Sequence, residues 1–443
     1  MNIRLNRYIL GVLLMMGGLQ AVAQNTDTLR LSEALKLGLE KNYSIQIATN
    51  NKNIADNNYT LGNAGFLPTL DAIASQNYEV QDSRQLFDRE VNPEQIVNGA
   101  RSNSFSASAL LEWTVFDGTR MFVTYDKLAE LQQASAIEAQ INIENTVADI
   151  SAAYYTVILE QARVNVLQNS VDLSRERLRL ARTKYEVGNT SRLEYLAAQV
   201  DYNADTSALI QQKEQLYNTK VDLNTFLVRE PDTDFAVPNQ IDANMDLSIG
   251  ELREKALSSN PNLLLARRNQ HITYLEMREL EAERWPEILV NLGYGYNTSI
   301  RQAGFVLESR ANGVNYGVAA RLNIFNGFNK NRQIQNARIL TENRDLQIKE
   351  LTQDLKADLE KTFINYTNST ILLELESKNM EIARENAKIA LERYRLGNSN
   401  ALELREAQIN AVQAESRLID AIYFTKIAEI ELLRLSGQMV SSQ

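Results

Sequence analysis

The sequence predicts an α+β membrane protein built from two similar halves, each with two strands and a pair of very long helices. Three observations support this architecture. Short motifs recur in the same order along the chain, two long stretches contain neither proline nor glycine, and four shorter segments alternate apolar with polar residues. The first indicates an internal repeat, the second indicates uninterrupted helix, and the third indicates strands with one apolar face.

The composition excludes several classes of site. The 443 residues carry a net charge of −10, and they include no cysteine and a single histidine, His271. An acidic chain does not fit the phosphates of nucleic acid. Without cysteine there is no disulfide, thiol nucleophile or iron–sulfur cluster, and one histidine cannot form a multi-histidine metal site. We therefore expect no nucleic-acid partner, no metal and no cofactor.

Residues 1–23 have the pattern of a signal peptide. Arg4 and Arg7 form a basic start, an apolar stretch from Tyr8 to Leu19 follows, and Ala21-Val22-Ala23 is a small-x-small cleavage site. The apolar stretch is too short to span a bilayer comfortably, and a short membrane anchor is the alternative. No later stretch approaches ~20 continuous apolar residues, so we expect an exported chain without a transmembrane helix.

The mature chain is predicted to be a tandem repeat, with a first half at 24–245 and a second half at 246–443. Val115-Phe116-Asp117-Gly118 matches Ile324-Phe325-Asn326-Gly327 at an offset of 209 residues. Each half begins with a helical stretch that ends before Pro68 or Pro286, because proline disfavours helix in the residue that precedes it.

Each half then contains two predicted strands, at about 69–79 and 104–116 and at about 287–297 and 314–325. Their alternation is typical of outer-membrane strands with lipid on one face and water on the other, although a soluble β-sandwich would alternate similarly. The signal peptide and the long helices favour the membrane. Four strands cannot close a barrel, and an open edge in lipid leaves backbone groups unsatisfied. A barrel would therefore need strands from two or more copies of the chain.

The long helices are predicted at Thr119–Val187 and Asn331–Leu396, each ~100 Å long if it is continuous. Return helices follow at about 191–228 and 400–435. Apolar residues recur at spacings of three and four, as at Val147, Ile150, Tyr154 and Val157. This spacing predicts coiled-coil packing between helices.

One short stretch occurs twice, between each long helix and its return helix. It reads KYEVGNTSRLEYLAAQ from Lys184 and RYRLGNSNALELREAQ from Arg393. The glycine in each copy predicts a left-handed helix C-cap. A Ser or Asn three residues before a Glu has the spacing of a capping box, which starts the next helix. We therefore predict two tight tip hairpins, at 185–194 and 394–403, in which Ser191 precedes Glu194 and Asn400 precedes Glu403.

Several motifs with known order and spacing stand at corresponding places in the two halves. They are Ala34-Leu35 and Asn42 in the first helix, Leu67-Pro68 and Trp285-Pro286 before the strands, Phe116-Asp117-Gly118 and Phe325-Asn326-Gly327 after them, and Tyr185 to Gly188 and Tyr394 to Gly397 at the hairpins. Together they resemble the TolC family of outer-membrane efflux and secretion channels, over nearly the whole mature chain.

The resemblance implies a homotrimer in which four strands per chain form a twelve-stranded β-barrel in outer-membrane lipid. A long coiled-coil α-barrel continues it into the periplasm. The implied function is passive export of drugs or small molecules, gated at the periplasmic tip, with no enzymatic activity. The implied partners are a periplasmic adaptor protein, which docks on the hairpins, and an inner-membrane pump.

The resemblance also implies roles for residues of the hairpins. Family members carry acidic residues and a tyrosine in the gate and selectivity region of the tip. The matching positions are Glu194, Tyr394, Glu403 and Glu406, and the adaptor-contact positions are Gly188, Asn189, Thr190, Gly397, Asn398 and Ser399. Helix capping alone would also explain Glu194 and Glu403, but Glu406 lies one turn further on.

The chain departs from the family at one position of the tip. Ser399 stands where family members can have an arginine that helps to lock the tip, and Arg192 or Arg405 could take its place. Three alternative functions remain at this point: a type I protein-secretion channel, an exported coiled-coil scaffold protein and an enzyme. Paired carboxylates could suggest a glycosidase, but here they stand at helix starts without a nucleophile or a cofactor loop.

Overall fold

The computed structural model describes residues 28–86 and 94–439, so the predicted signal peptide at 1–23 lies outside the described residues. The described residues form four strands and eight helices, and the second half repeats the order of elements in the first. They are α1 Leu31–Lys41, α2 Tyr43–Asn58, β1 Thr69–Leu86, β2 Glu94–Asp117, α3 Arg120–Glu186, α4 Arg192–Phe226, α5 Ile249–Ser259, α6 Pro261–Ala282, β3 Glu287–Arg301, β4 Glu308–Arg321, α7 Asn329–Arg395 and α8 Ala401–Leu435.

The long helices and their return helices agree closely with the prediction. The helices α3 and α7 have 67 residues each, and α4 and α8 have 35 residues each. In contrast, the helical stretch predicted at the start of each half is two helices. Asn42 begins α2 and accepts a hydrogen bond from the backbone of Ser44, and Asn260 begins α6 in the same way through Leu263. An Asn cap of this kind starts a new helix in place of continuing the old one.

Three of the four strands extend beyond their predicted ends on the side away from the helices. The fourth, β4, begins earlier than predicted and ends at Arg321, so its predicted end at residue 325 is wrong. The reason lies in β3, with which β4 pairs. Arg321 pairs with Glu287, the first residue of β3, and Pro286 comes directly before Glu287. Proline has no N–H to donate to the neighbouring strand, so the pairing of β3 and β4 stops there.

The strands form one antiparallel sheet in the order β1–β2–β3–β4. Its register places Leu70, Leu111, Leu292 and Tyr316 in one row across all four strands. This row is apolar and largely uncovered, since Leu70 is 72% exposed and Tyr316 is 85% exposed. A row five residues further along the strands, on the opposite face, is small and polar, with Ser75, Ser106 and Asn297. The predicted two-faced sheet is therefore present, and β1 and β4 are its edges.

The chain divides into two compact units, and each takes segments from both predicted repeats. The first comprises the described residues up to Glu40 together with Asp149–Ala243 and Ser369–Lys426, and it contains both hairpins. The second comprises Lys41–Ala148, Asn244–Asn368 and the described residues from Ile427 onward, and it contains the sheet. The boundary between residues 245 and 246 therefore does not separate the two compact units. As a boundary between two repeats it rests on sequence similarity and stays a prediction.

Each unit has an apolar core of its own. Val164, Val171 and Leu209 pack together in the first unit, where α3 and α4 run side by side. A larger cluster in the second unit includes Leu252, Leu359 and Leu432. Among the helices of the described residues, none has a continuous apolar segment of the length that a bilayer span requires.

Candidate functional site at the paired hairpins

Both hairpins begin with the glycine cap that the sequence predicts. Gly188 and Gly397 have φ angles of 77° and 80°, in the left-handed region that favours glycine. The N–H of Asn189 donates to the carbonyl of Lys184 at 2.7 Å, and the N–H of Asn398 donates to the carbonyl of Arg393 at 2.8 Å. These bonds close a Schellman motif, which ends α3 and α7 and turns the chain sharply.

The helices α4 and α8 then start with side-chain caps. Ser191 Oγ accepts a hydrogen bond from the N–H of Glu194 at 3.2 Å, and Asn400 Oδ1 accepts one from the N–H of Glu403 at 2.9 Å. The carboxylate of Glu194 also accepts a bond from the hydroxyl of Thr190. At the equivalent place in the second hairpin, Ser399 Oγ donates to the Glu403 carboxylate at 2.6 Å. The two hairpins are therefore locally the same structure.

Tyr394 joins the two hairpins to each other. Its side chain is 1% exposed, and its hydroxyl donates to Glu194 Oε1 at 3.0 Å. Lys184 Nζ lies 3.9 Å from the centre of the tyrosine ring and donates to the Tyr394 carbonyl at 2.8 Å. Burial, followed by the adjacent Glu194 carboxylate, raises the pKa of Tyr394 above its ordinary value. Its hydroxyl therefore remains protonated and available as a donor across the physiological pH range.

Two arginine–aspartate pairs lie further along the same helices. Arg405 donates to both carboxylate oxygens of Asp205, at 2.8 and 2.9 Å. The hydrogen bonds that Arg405 donates to this carboxylate raise the pKa of its guanidinium. Arg177 is almost fully buried and donates to Asp201, one helical turn before Asp205. These pairs tie α3 and α8 to α4, and a paired, partly buried charge of this kind is costly to separate.

The sequence pattern identified Arg405 as a candidate for the missing tip lock but did not identify its partners. The structure places its guanidinium on Asp205 of the same chain, while Arg192 is exposed at the first residue of α4. Asp201 and Asp205 are spaced by four residues on α4, which puts both on one helix face. That spacing was the signal available in the sequence, but it could not show which helix supplies the arginines.

The remaining candidate residues lie on the surface of the tip. Glu403 and Glu406 are exposed on the first turns of α8, and Gly188, Asn189, Gly397 and Asn398 are exposed in the two turns. Thr190 and Ser399 are half-buried, and their hydroxyls are bonded to the cap carboxylates. The structure thus brings Tyr394 and Glu194 together and leaves Glu403 and Glu406 facing outward. Among the described residues, no group of three or more acidic or histidine side chains is placed to hold a metal ion.

Comparison with known proteins identifies the family of this architecture. The family sequence model described as "Outer membrane efflux protein" matches residues 34–227 and 252–438. Nodulation protein T of Rhizobium leguminosarum bv. trifolii is 19% identical over 397 residues, which cover 88% of this chain and 82% of that protein. Outer membrane protein OprJ of Pseudomonas aeruginosa is 32% identical over 164 residues, which cover 36% of this chain and 31% of OprJ.

A solved structure has the same fold. The CmeC outer membrane channel of Campylobacter jejuni superposes with a TM-score of 0.76, at 14% sequence identity, over 92% of this chain and 85% of CmeC. At that identity the likeness concerns the fold alone. The 92% coverage is large enough to include parts of both the sheet and the long helices.

Proposed function

The chain belongs to the outer membrane efflux protein family, and we propose that three copies of it form one continuous channel for passive export. The protein is an efflux component of the bacterial outer membrane and extends into the periplasm. The family is one of channels and not of enzymes.

The sheet is the observation that carries the proposal. It exposes an apolar face and ends in two unpaired edge strands, β1 and β4. In a lipid bilayer, unpaired edge groups cost several kcal/mol each, so a four-stranded sheet is stable there only if its edges find partners. Pairing β4 of one copy with β1 of the next satisfies both edges. Three copies give the twelve strands that the resemblance to TolC channels implies.

The long helices complete the proposed channel. The pairs α3–α4 and α7–α8 of three copies would form a coiled-coil α-barrel across the periplasm, with the glycine hairpins at its far end. Members of the family work with adaptor and inner-membrane pump components. For this chain, the exposed turns at Gly188, Asn189, Gly397 and Asn398 are the proposed docking surface for the adaptor, with Thr190 and Ser399 beside them.

The hairpins are the proposed gate and selectivity region. Glu403 and Glu406 are exposed, and three copies would place six such carboxylates around a narrow mouth, where they attract cations and repel anions. The bond between Tyr394 and Glu194 would hold the two hairpins of each chain together when the tip is closed. Drugs or small molecules are the proposed substrates, moved by the energy of the pump.

Conductance across a planar lipid bilayer tests this function directly. The protein, purified in detergent and added to one side, is expected to give discrete current steps, because an enclosed water-filled barrel passes ions. A useful comparison is the same protein after heat denaturation, which should give none. A native preparation that inserts into the bilayer without passing current would contradict the proposal.

A further inference from the structure

The bond between Tyr394 and Glu194 has a counterpart that the chain does not make by itself. The two hairpins are related by an offset of 209 residues, so Tyr394 is the equivalent of Tyr185 and Glu403 is the equivalent of Glu194. The observed bond joins the tyrosine of the second hairpin to the carboxylate of the first. The remaining tyrosine and carboxylate, Tyr185 and Glu403, have the same local structure.

These two remaining groups are exposed and not bonded to each other. Tyr185 is 40% exposed, compared with 1% for Tyr394, and its ring stacks on Tyr195 with centroids 5.8 Å apart. Within the described residues its hydroxyl makes no hydrogen bond. Glu403 accepts bonds from Ser399 and Asn400 on its own hairpin. A carboxylate has room for about four, so it can accept another.

The cationic side chain beside the ring of Tyr394 also has an equivalent in the second hairpin. Lys184 lies over the ring of Tyr394 and donates to its carbonyl. At the same offset, the equivalent of Lys184 is Arg393, which is exposed near the end of α7. A cation, a tyrosine and a carboxylate therefore form one set across the first and second hairpins. A second set with the same chemistry, Arg393, Tyr185 and Glu403, is left unassembled.

The long helices that end at the hairpins, α3 and α7, also differ, because an apolar stripe is covered on the first and exposed on the second. On α3, Val166, Leu173 and Leu180 follow one another every seven residues, and all three are buried or half-buried. The first two line a cleft with Gln408 and Val412 of α8. Their equivalents on α7 form an equally spaced stripe that is uncovered, with exposures of 51%, 67% and 52% for Leu375, Ile382 and Ile389. A seven-residue apolar stripe on a helix is the usual seam for another helix.

The helix that would cover this stripe is also identified by the repeat. Since α8 lies beside the stripe of α3, the equivalent helix α4 is the one that fits the stripe of α7. The equivalents of Gln408 and Val412 on α4 are Gln199 and Asn203, and both are exposed in the chain. Because the stripe of α7 and both of these α4 residues are exposed in a single chain, the α4 that covers the stripe belongs to a different copy.

We infer that a second copy of this chain lays its α4 on the uncovered stripe of α7, so that its Tyr185 hydroxyl donates a hydrogen bond to Glu403. Arg393 then lies beside the ring of that tyrosine, as Lys184 lies beside Tyr394. In a closed ring of three copies, tyrosine–carboxylate bonds within chains alternate with tyrosine–carboxylate bonds between chains. This inference rests on the proposed oligomer and assigns the contact between its copies.

Chemical cross-linking between chains tests the contact. The native chain has no cysteine, so introduced thiols are the only ones present. Tyr185→Cys and Glu403→Cys are co-expressed as two single variants, purified together in mild detergent and treated with a short bismaleimide. A bismaleimide is required because a hydrogen-bonded tyrosine and glutamate hold their Cβ atoms further apart than a disulfide allows. The expected product is a covalent dimer, and a chain with both substitutions is expected to give a covalent trimer.

Two controls define the result. The pair Tyr394→Cys and Glu194→Cys, placed in one chain, should cross-link within that chain and leave its apparent mass at one protomer. Co-expressed Tyr217→Cys and Glu403→Cys should give little dimer. Tyr217 is also exposed and lies on α4, but it is many helical turns away from the hairpin. If native mass measurement shows three chains and the Tyr185–Glu403 dimer is absent, this contact is wrong while the trimer stands. If the protein is a single chain, both this contact and the proposed channel are wrong.

Discussion

The hairpin at Gly188 and the hairpin at Gly397 have the same caps, yet the tyrosine before each glycine lies in a different environment. Tyr394 is buried against Glu194, whereas Tyr185 is exposed and stacks on its neighbour Tyr195. Local sequence therefore determines the turn itself, and position within the tandem repeat determines what the turn contacts. In a single chain, α8 lies beside the apolar stripe of α3, whereas the equivalent stripe of α7 is exposed.

Removal of the two tyrosine hydroxyls should give the largest difference between the hairpins. We expect Tyr394→Phe to lower the free energy of unfolding by about 1–2 kcal/mol, because a buried bond to a carboxylate is lost. Tyr185→Phe should leave the unfolding of the chain nearly unchanged and should instead speed dissociation of the oligomer in detergent. Thermal unfolding and detergent-induced dissociation, measured on both variants, check the two effects separately. Equal effects of the two variants on both measurements would show that the hairpins are equivalent.

Substitution of the two cap glycines should destabilise the chain by the same amount at both sites, so it should give little difference between the hairpins. An alanine at either position must adopt a left-handed backbone, which costs about 1–2 kcal/mol. The Cβ atom itself meets no other atom within 4 Å at Gly188 or at Gly397. We therefore expect Gly188→Ala and Gly397→Ala to lower the unfolding temperature equally. A much larger loss at one of them would mean that a contact between copies lies against that turn.

Much of this architecture was predictable because it depends on local sequence. Long stretches without proline or glycine predicted α3 and α7, and the Gly-Asn pairs predicted where they end. The breaks at Asn42 and Asn260 were missed, although both asparagines recur in the repeat, because the helical pattern continues on both sides of them. An asparagine followed by a helical pattern is a cap signal that could have located each break.

The contacts of the candidate site were less predictable because they join distant parts of the chain. Arg405 and Asp205 are 200 residues apart, and so are Tyr394 and Glu194. Sequence similarity between the hairpins gives Tyr185 and Tyr394 the same expected role. Which of the two is buried depends on which faces of the repeats meet, and that is decided by packing over the whole length of the helices.

Ion selectivity of the single channel tests most directly whether copies of the chain enclose a pore that ends at the second hairpin. Under a KCl gradient, the reversal potential of the native protein should show a preference for cations, since Glu403 and Glu406 are exposed at the start of α8. Glu403→Ala/Glu406→Ala should abolish most of this preference, because it removes both neighbouring carboxylates of the second hairpin. Glu194→Gln should change it little, because the first hairpin has Ala197 at the position of Glu406 and so has no second carboxylate there. An unchanged reversal potential in the double variant, or a larger change in the Glu194 variant, would contradict this assignment of the pore mouth.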